Sequence, residues 1–395
     1  MEAIKRVRLS EIAELITKGT TPTTLGYNFQ EDGVNFLKIE CFSEDGTYIK
    51  EKTARISEEC HEKLKRSKLR TGDILFSIAG AIGRVAVVTE EMLPANTNQA
   101  LAIIRVTRDD IYLPYIKLIL TSQIVKAQFE RKKQGVAQLN ISLKDINELE
   151  IPLPEKSKQI ECASLLEKIS GIITARQQQL QKLDELVKAR FIELFGSPVS
   201  NPFSWEKKTL KDICIKLNDG THFSPESFKT GEYKYVTAKN IRLSGFDFSN
   251  ITYVPEEVHR PIFERCNPEL GDVLYIKDGA TTGIAMVNTL EEEFTLLSSV
   301  ALLKQDRSII NGYFLAALLN NEDMYLDIRN NMGGAAITRL TIAKLNVIKV
   351  IVPPIAIQEQ FAKFVKQTDK SKAAVQKALD EAQLLFDSLM QKYFG

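Results

Sequence analysis

Through residues 159–195 the apolar positions recur at alternating steps of four and three: Cys162, Leu166, Ile169, Ile173, Arg176, Leu180, Leu183, Val187, Arg190 and Leu194. The same steps from Phe361 pick out Phe361, Val365, Thr368, Lys372, Val375, Leu379, Ala382, Phe386, Leu389 and Tyr393. Eight of ten positions are apolar in each row, where about four would be by chance in a chain of this hydrophobicity. A 3.5-residue repeat of this kind predicts a coiled-coil seam on a long helix. No proline interrupts either seam, and Gly171 is the only glycine inside them. At ~1.5 Å per residue each helix would run on the order of 55 Å. One such stripe is equally what core packing in an ordinary helical domain produces; the second copy changes the picture. Pro154 with Gln159 recurs as Pro353 with Gln358, and Leu194-Phe195-Gly196 recurs as Tyr393-Phe394-Gly395, both at an offset of 199 residues. Two seams in one chain are buried most simply against each other.

The echo extends through the rest of the chain. Each half opens with a short amphipathic segment and a turn, Lys18-Gly19-Thr20-Thr21-Pro22 in the first and Asp219-Gly220-Thr221-His222 in the second. Apolar strands are predicted at 34–39 and 233–238, and a charged helix and loop at 57–68. Gly72-Asp73-Ile74-Leu75 then matches Gly271-Asp272-Val273-Leu274, again 199 residues apart; Gly-Asp is turn chemistry and the run after it reads as a strand. Second strands begin at Gly83 and Gly283, and third strands are predicted at 100–106 and 296–303. One helix follows each, near 112–131 and 311–329. Next come glycine-bearing loops at Gln134-Gly135-Val136-Ala137 and Gly333-Gly334-Ala335-Ala336, then an apolar segment ending in proline and the long helix. The globular parts, 1–150 and about 200–350, have the size of ordinary domains. They differ greatly in sequence away from these anchors, while the helices differ less in pattern. A repeat this long and this few in number is no solenoid; it reads as a dimer fused into one chain with pseudo-twofold symmetry.

Composition adds little that is positive. Lys plus Arg is 52 and Asp plus Glu is 51, so no global field announces a nucleic-acid partner, although clusters decide binding better than totals. The five cysteines, Cys41, Cys60, Cys162, Cys214 and Cys266, form no CxxC pair and suggest reduced thiols in a cytosolic protein. The N-terminus has no apolar core of signal-peptide length, and no run approaches the ~18 apolar residues of a membrane span. The expectation is a soluble, cytoplasmic protein.

Catalytic chemistry is not found. Asn201-Pro202-Phe203-Ser204 is similar to the Asn-Pro-Pro-Tyr/Phe motif of amino-methyltransferases but lacks the second proline and a preceding Gly-rich cofactor strand; a turn between halves fits it better. Lys277-Asp278-Gly279-Ala280-Thr281-Thr282-Gly283 matches neither GxGxxG nor GxxxxGK[ST] and reads as a hairpin turn. Glu155-Lys156-Ser157-Lys158 lacks the Pro-Asp of a nuclease site and suits the first turn of the long helix. The three histidines, His61, His222 and His259, have no metal-ligand spacing, so no metal site is expected.

Binding signals are local. Lys63, Lys65, Arg66, Lys68 and Arg70 precede the Gly72 turn, and Arg131-Lys132-Lys133 precedes the Gly135 loop. Phosphate-contacting patches look like this, and so do solvated helix faces. Thr20, Thr21, Asn98, Gln99, Thr221, His222, Lys239, Asn240 and Lys277 lie in loops whose donors and acceptors suit base edges. With Lys63, Lys65, Arg66, Lys68, Arg131 and Lys132 they make up the candidate DNA-contacting set.

The order globule, long helix, globule, long helix resembles the specificity subunit of type I restriction–modification systems. The resemblance rests on the duplicated Gly-Asp-[Ile/Val]-Leu turn, on Ile151-Pro152-Leu153-Pro154 with Gln159 and Val350-Ile351-Val352-Pro353 with Gln358, and on Asn98-Gln99, for which the second half has Ser298-Ser299. It covers the full length. It implies an α+β fold: two similar target-recognition domains, at 1–153 and 197–352, related by pseudo-twofold symmetry. The helical segments 154–196 and 353–395 would form a long antiparallel two-helix coiled coil that separates them. Each domain would read one half of a bipartite, asymmetric duplex DNA target, with the helices as spacer. Two adenine-N6 methyltransferase subunits using S-adenosylmethionine would dock on the helices, and an ATP- and Mg2+-dependent translocase–nuclease subunit is a further partner that the resemblance allows. The chain itself would carry no cofactor and no catalysis. A stand-alone DNA-binding regulator is the competing reading; an unusual methyltransferase or nuclease is a third, opposed by the missing cofactor motif.

Overall fold

A computed structural model of the protein describes residues 5–131, 141–330 and 340–394. The chain divides into two units, Met1–Ala175 with Ala378–Gly395 and Arg176–Lys377. Each long helix, Lys156–Phe195 and Ile355–Phe394, is therefore shared between them.

The first unit is built in layers. An antiparallel four-stranded sheet runs in the order Leu15–Lys18, Leu101–Arg105, Ile74–Ser77, Val85–Val87. Successive side chains of a strand point to opposite faces, and here both faces are covered. Ile74, Phe76, Val85, Ala102 and Ile104 face a core shared with the helices Leu113–Thr121 and Gln123–Arg131 and with Cys162, Ala163, Leu166 and Phe394 of the long helices. Leu75, Ala86, Leu101 and Ile103 face the other way, onto Leu37, Cys41, Phe42, Met92 and Ala95. Beyond lies a three-stranded sheet, Ala54–Ile56, Val34–Leu37, Ala95–Thr97, whose last pair is parallel. Its outer face is closed by Cys60 and Leu64, at the helix Glu58–Lys63. Burial on both faces is why residues 101–104 read as an unbroken apolar run.

The second unit repeats the plan. Its four-stranded sheet is Cys214–Asp219, Val300–Gln305, Val273–Ile276, Ala285–Val287, and its three-stranded sheet is Thr252–Val254, Tyr233–Val236, Phe294–Leu296. A small hairpin, Ile241–Arg242 with Gly245–Phe246, is added. The region expected as one strand at 296–303 is two strands. The chain leaves the smaller sheet at Leu296, turns at 297–299 and enters the larger one at Val300; Ala95–Thr97 is the matching strand in the first unit, and hydropathy cannot separate two abutting apolar strands. Each expected single helix is likewise a pair. The break in the first falls at Ser122, whose Oγ bonds the Ile119 carbonyl. In the second it falls at Asn320-Asn321, where the Asn321 side chain accepts from the amide of Asp323. The glycine-bearing loops at 134–137 and 333–336 lie outside the described residues.

Two anchors acquire physical roles. Gly72 and Gly271 adopt φ of +86° and +89°, a backbone that favours glycine, and the following Asp caps its own turn through the amide of Arg70 or Glu269. Gln159 and Gln358 are both buried. Gln159 accepts from the amide of Tyr112 at 2.9 Å and donates to the carbonyls of Asp110 and Pro154. Gln358 accepts from the amide of Asn311 at 2.9 Å and donates to Ile309 and Pro353. Each amide satisfies backbone groups that the start of a helix would otherwise leave orphaned, and so fixes where the long helix leaves its unit.

Within the second unit the two long helices run antiparallel: Asp184 meets Lys372 at 2.6 Å, while Phe191 and Phe195 meet Phe361 with ring centroids 5.6 Å apart. Phe361, Thr368 and Val375 are buried; Arg176, Leu180, Leu183, Val187, Arg190, Leu194, Val365 and Lys372 are half-buried. In the first unit Cys162, Leu166 and Ile169 are buried, and Ile173, Leu379, Ala382, Phe386, Leu389 and Tyr393 are half-buried. Among the described residues no helix is long and apolar enough to cross a membrane.

Candidate nucleic-acid interface

Antiparallel pairing sends several loops out of one end of each four-stranded sheet. In the first unit Lys18 pairs with Ala102 and Ser77 with Leu101, so the loops 19–21, 78–84 and 98–100 emerge together. Gly19 donates to the Asn98 carbonyl at 3.1 Å and Ile78 to Ala100 at 2.9 Å. A Cβ on Gly19 would lie 1.8 Å from the Thr97 carbonyl oxygen, so only glycine fits. The second unit does the same: a Cβ on Gly220 would lie 1.8 Å from the Leu296 oxygen. There Thr221 donates to Leu296 at 2.8 Å, Ser298 to Thr221 at 2.9 Å and Lys277 to Ser299 at 2.9 Å. The result in each unit is a rim of stitched loops at the end of a rigid sheet.

The rims differ in charge. Asp219 ends its strand with its carboxylate only 4% exposed, facing the ammonium of Lys277 (2% exposed) at 3.2 Å. Arg265 lies 3.8 Å from the same carboxylate and also donates to the Gly220 carbonyl. His222 brings Nε2 to 3.2 Å of Asp219 Oδ1. In the first unit Lys18 occupies the strand position of Asp219, pairing with Ala102 as Asp219 pairs with Ala301. The residue after the Ile74–Ser77 strand is Ile78, where the second unit has Lys277. That rim is held by neutral contacts instead, Thr21 donating to the Gln99 side chain.

The remaining candidates separate by burial. Lys63, Lys65 and Arg66 are exposed on and beside the helix Glu58–Lys63, while Lys68 is half-buried and paired with Glu62. Thr20 is half-buried, as is Asn98, whose side chain accepts from the Ala100 amide; Gln99 and Lys239 are exposed. Three candidates point inward. Lys277 neutralises Asp219; buried Asn240 bonds Thr237 and the Asp247 carbonyl; buried Thr221 closes its own turn through Phe223. Their polar groups are occupied inside the fold, because burying them unpaired would be costly. Arg131 is exposed and lines a groove of about 330 Å³ with Arg8, Asp145 and Glu150; the corresponding groove of the second unit, about 460 Å³, is lined by Lys207, Asp327, Lys344 and Lys349. Lys132 lies outside the described residues.

Sequence reasoning took Asp219 only as a turn residue and did not single out Arg265 or Phe223: Arg265 and Lys277 reach Asp219 from far along the chain, and no spacing rule links them. The other two histidines tie the outer helices to the smaller sheets. His61 Nδ1 meets Asn96 Oδ1, and His259 Nδ1 meets Thr295 Oγ1 at 2.8 Å. Burial lowers the His259 pKa, against the pull of Glu293. Burial also raises the Cys162 thiol to about 11 and those of Cys214 and Cys266 to about 12, which leaves them protonated and poor nucleophiles. Among the described residues no group of three or more His, Cys, Asp or Glu could hold a metal ion.

The profile of the type I restriction modification DNA specificity domain matches residues 1–185 and again 202–383. The chain belongs to that family. It carries the domain twice, in agreement with the duplicated fold. The EcoBI type I restriction enzyme specificity subunit of Escherichia coli is 30% identical over 152 residues, a match spanning 38% of this chain and 31% of that relative. A Methanocaldococcus jannaschii protein named as the MjaX specificity subunit is 24% identical over 398 residues, spanning 94% of this chain and 89% of its own length. The crystal structure of a type I restriction–modification S subunit from M. genitalium shares the fold, with a TM-score of 0.60 at 17% identity, covering 100% of this chain and 97% of that one. Proteins of this family are the non-catalytic DNA-recognition subunits of type I restriction–modification systems, and this chain is a specificity subunit of that kind.

Proposed function

We propose that each unit reads one half of a bipartite, asymmetric duplex DNA target through its rim and its outer helix. The observation that carries this reading is one loop frame built twice and furnished with unlike side chains: such a pair suits a target whose halves differ in sequence but share a backbone. Phosphate contacts position a protein on DNA and base contacts specify; the exposed Lys63, Lys65 and Arg66 are suited to the first task. The long helices would set the unread spacer and dock two copies of an adenine-N6 methyltransferase that binds S-adenosylmethionine. A translocase–nuclease subunit using ATP and Mg2+ would complete a restriction enzyme, and the assembly would work in the cytoplasm. Another protein of this fold, with a TM-score of 0.59 at 18% identity, takes part in complex assembly and conformational transition of the type I R-M system, which supports the docking role.

Purifying the chain with and without the methyltransferase subunit and measuring site-specific binding separates this reading from that of a stand-alone regulator, which would bind equally well alone. Removing one heptad from each long helix is expected to shorten or shift the spacer and leave both half-sites unchanged. A map of methylated adenines that keeps the old spacing would overturn the spacer role.

A further inference from the structure

We infer that His222 and Phe223 are base-reading residues of the second unit, with Asp219 and Lys277 positioning His222. The inference rests on the DNA-reading function proposed above and assigns it to side chains.

Three observations carry it. The backbone of this loop cannot drift: Gly220 has no room for a Cβ beside Leu296, Thr221 is bonded on both sides to the strand end, and its hydroxyl closes the turn with Phe223. Two large side chains nonetheless stand out from it, His222 at 58% and Phe223 at 61% exposure. The third observation is the carboxylate beneath. Asp219, ion-paired with Lys277, offers acceptors to the imidazole nitrogen facing it, so Nε2 is the donor there; in the neutral ring that leaves Nδ1 as an acceptor. An acceptor on an exposed ring suits the exocyclic amino group of adenine or cytosine in the major groove, and the exposed apolar ring of the next residue suits the thymine methyl. The buried Lys277 holds the carboxylate in place through a 3.2 Å ion pair, an arrangement that apolar residues of the same size often replace without loss of stability.

The first unit supplies the control. Its loop has the same glycine clearance but carries Thr20 and Thr21, the latter bonded to Gln99, with Lys18 and Ile78 at the positions of Asp219 and Lys277. Shared backbone with exchanged side chains is what two readers of different sequences need.

The test is a methylated-adenine map from cells in which the full complex carries wild-type chain, His222→Ala or Phe223→Ala. The wild type is expected to give a two-part motif. Each variant should keep one part unchanged and relax the other at one or two positions, with discrimination there falling about ten-fold or more; Phe223→Ala should relax a thymine. A double variant, Asp219→Leu with Lys277→Met, should melt like the wild type and relax the same position as His222→Ala. An unchanged motif in both single variants, or an equal fall in methylation at all wild-type sites with no new ones, would overturn the assignment, the latter marking a phosphate contact. A double variant that melts normally and keeps the wild-type motif would remove the positioning role. A wild type without a two-part motif would instead sink the underlying reading.

Discussion

The Gly-Asp turn is held in different ways in the two units. In the first, Arg105 donates two hydrogen bonds of 2.7 Å to Asp73, with the carboxylate 1% and the guanidinium 10% exposed. In the second, Asp272 is equally buried but takes Lys304 at 3.5 Å and Arg307 at 3.4 Å, and Arg307 is 61% exposed. The turn backbone and the capping carboxylate are the same; the counter-charge has moved from one forked, dry partner to two looser ones. The rims follow the same rule, and the two buried glutamines keep corresponding backbone partners while the residues that carry them change, Tyr112 for Asn311 and Asp110 for Ile309. Duplication preserved the positions at which backbone polar groups must be satisfied and released the rest.

The largest expected effect sharpens this contrast. Arg105→Ala strands the buried Asp73 carboxylate, at a cost of about 3–5 kcal/mol. Arg307→Ala leaves Lys304 in place and removes a mostly exposed partner, at a cost below about 1 kcal/mol. Denaturant unfolding of the two variants reads the difference, and equal losses would break the contrast. A smaller, symmetric effect is expected for Gln159→Ala and Gln358→Ala. Each strands a helix-end amide and two carbonyls, costing about 1–3 kcal/mol, and the two losses should agree; a large disparity would show that the latches are not equivalent.

The smallest effect concerns pH. His259 is buried against Tyr233, with ring centroids 3.8 Å apart, and its folded pKa is depressed below 6.5. Above pH 6.5 the ring is neutral folded and unfolded, and contributes no pH dependence. Below it the unfolded chain takes up a proton that the folded unit resists, so stability falls with pH through the window between 6.5 and the lower folded value. His259→Gln should flatten melting temperature against pH in that window, and a profile unchanged by the substitution would refute the role of burial.

The duplicated plan was legible in the sequence because its signals are local. The seam positions from Cys162 and Phe361 follow a fixed period, and Gly-Asp before a β-branched run needs only four residues. Strand 34–39 and its echo were visible for the same reason. What was hidden depends on partners remote in sequence. Lys277 carries the side chain of a surface donor, and Asp219, arriving from another strand, makes its burial tolerable. The split at 297–299 was hidden too, since two apolar strands in different sheets look like one when only Ser298 and Ser299 interrupt the run. Asn201-Pro202-Phe203-Ser204 proved to be a turn, its Asn201 side chain bonded to the backbone of Trp205.

Phe394, beside Tyr115 with ring centroids 5.4 Å apart, belongs to the core of the first unit although it sits at the far end of the helix Ile355–Phe394. During synthesis the N-terminal body must therefore wait, its hydrophobic interior unsealed, until that second long helix has been made. Losing the last turns of the helix would injure the half of the protein that was made first.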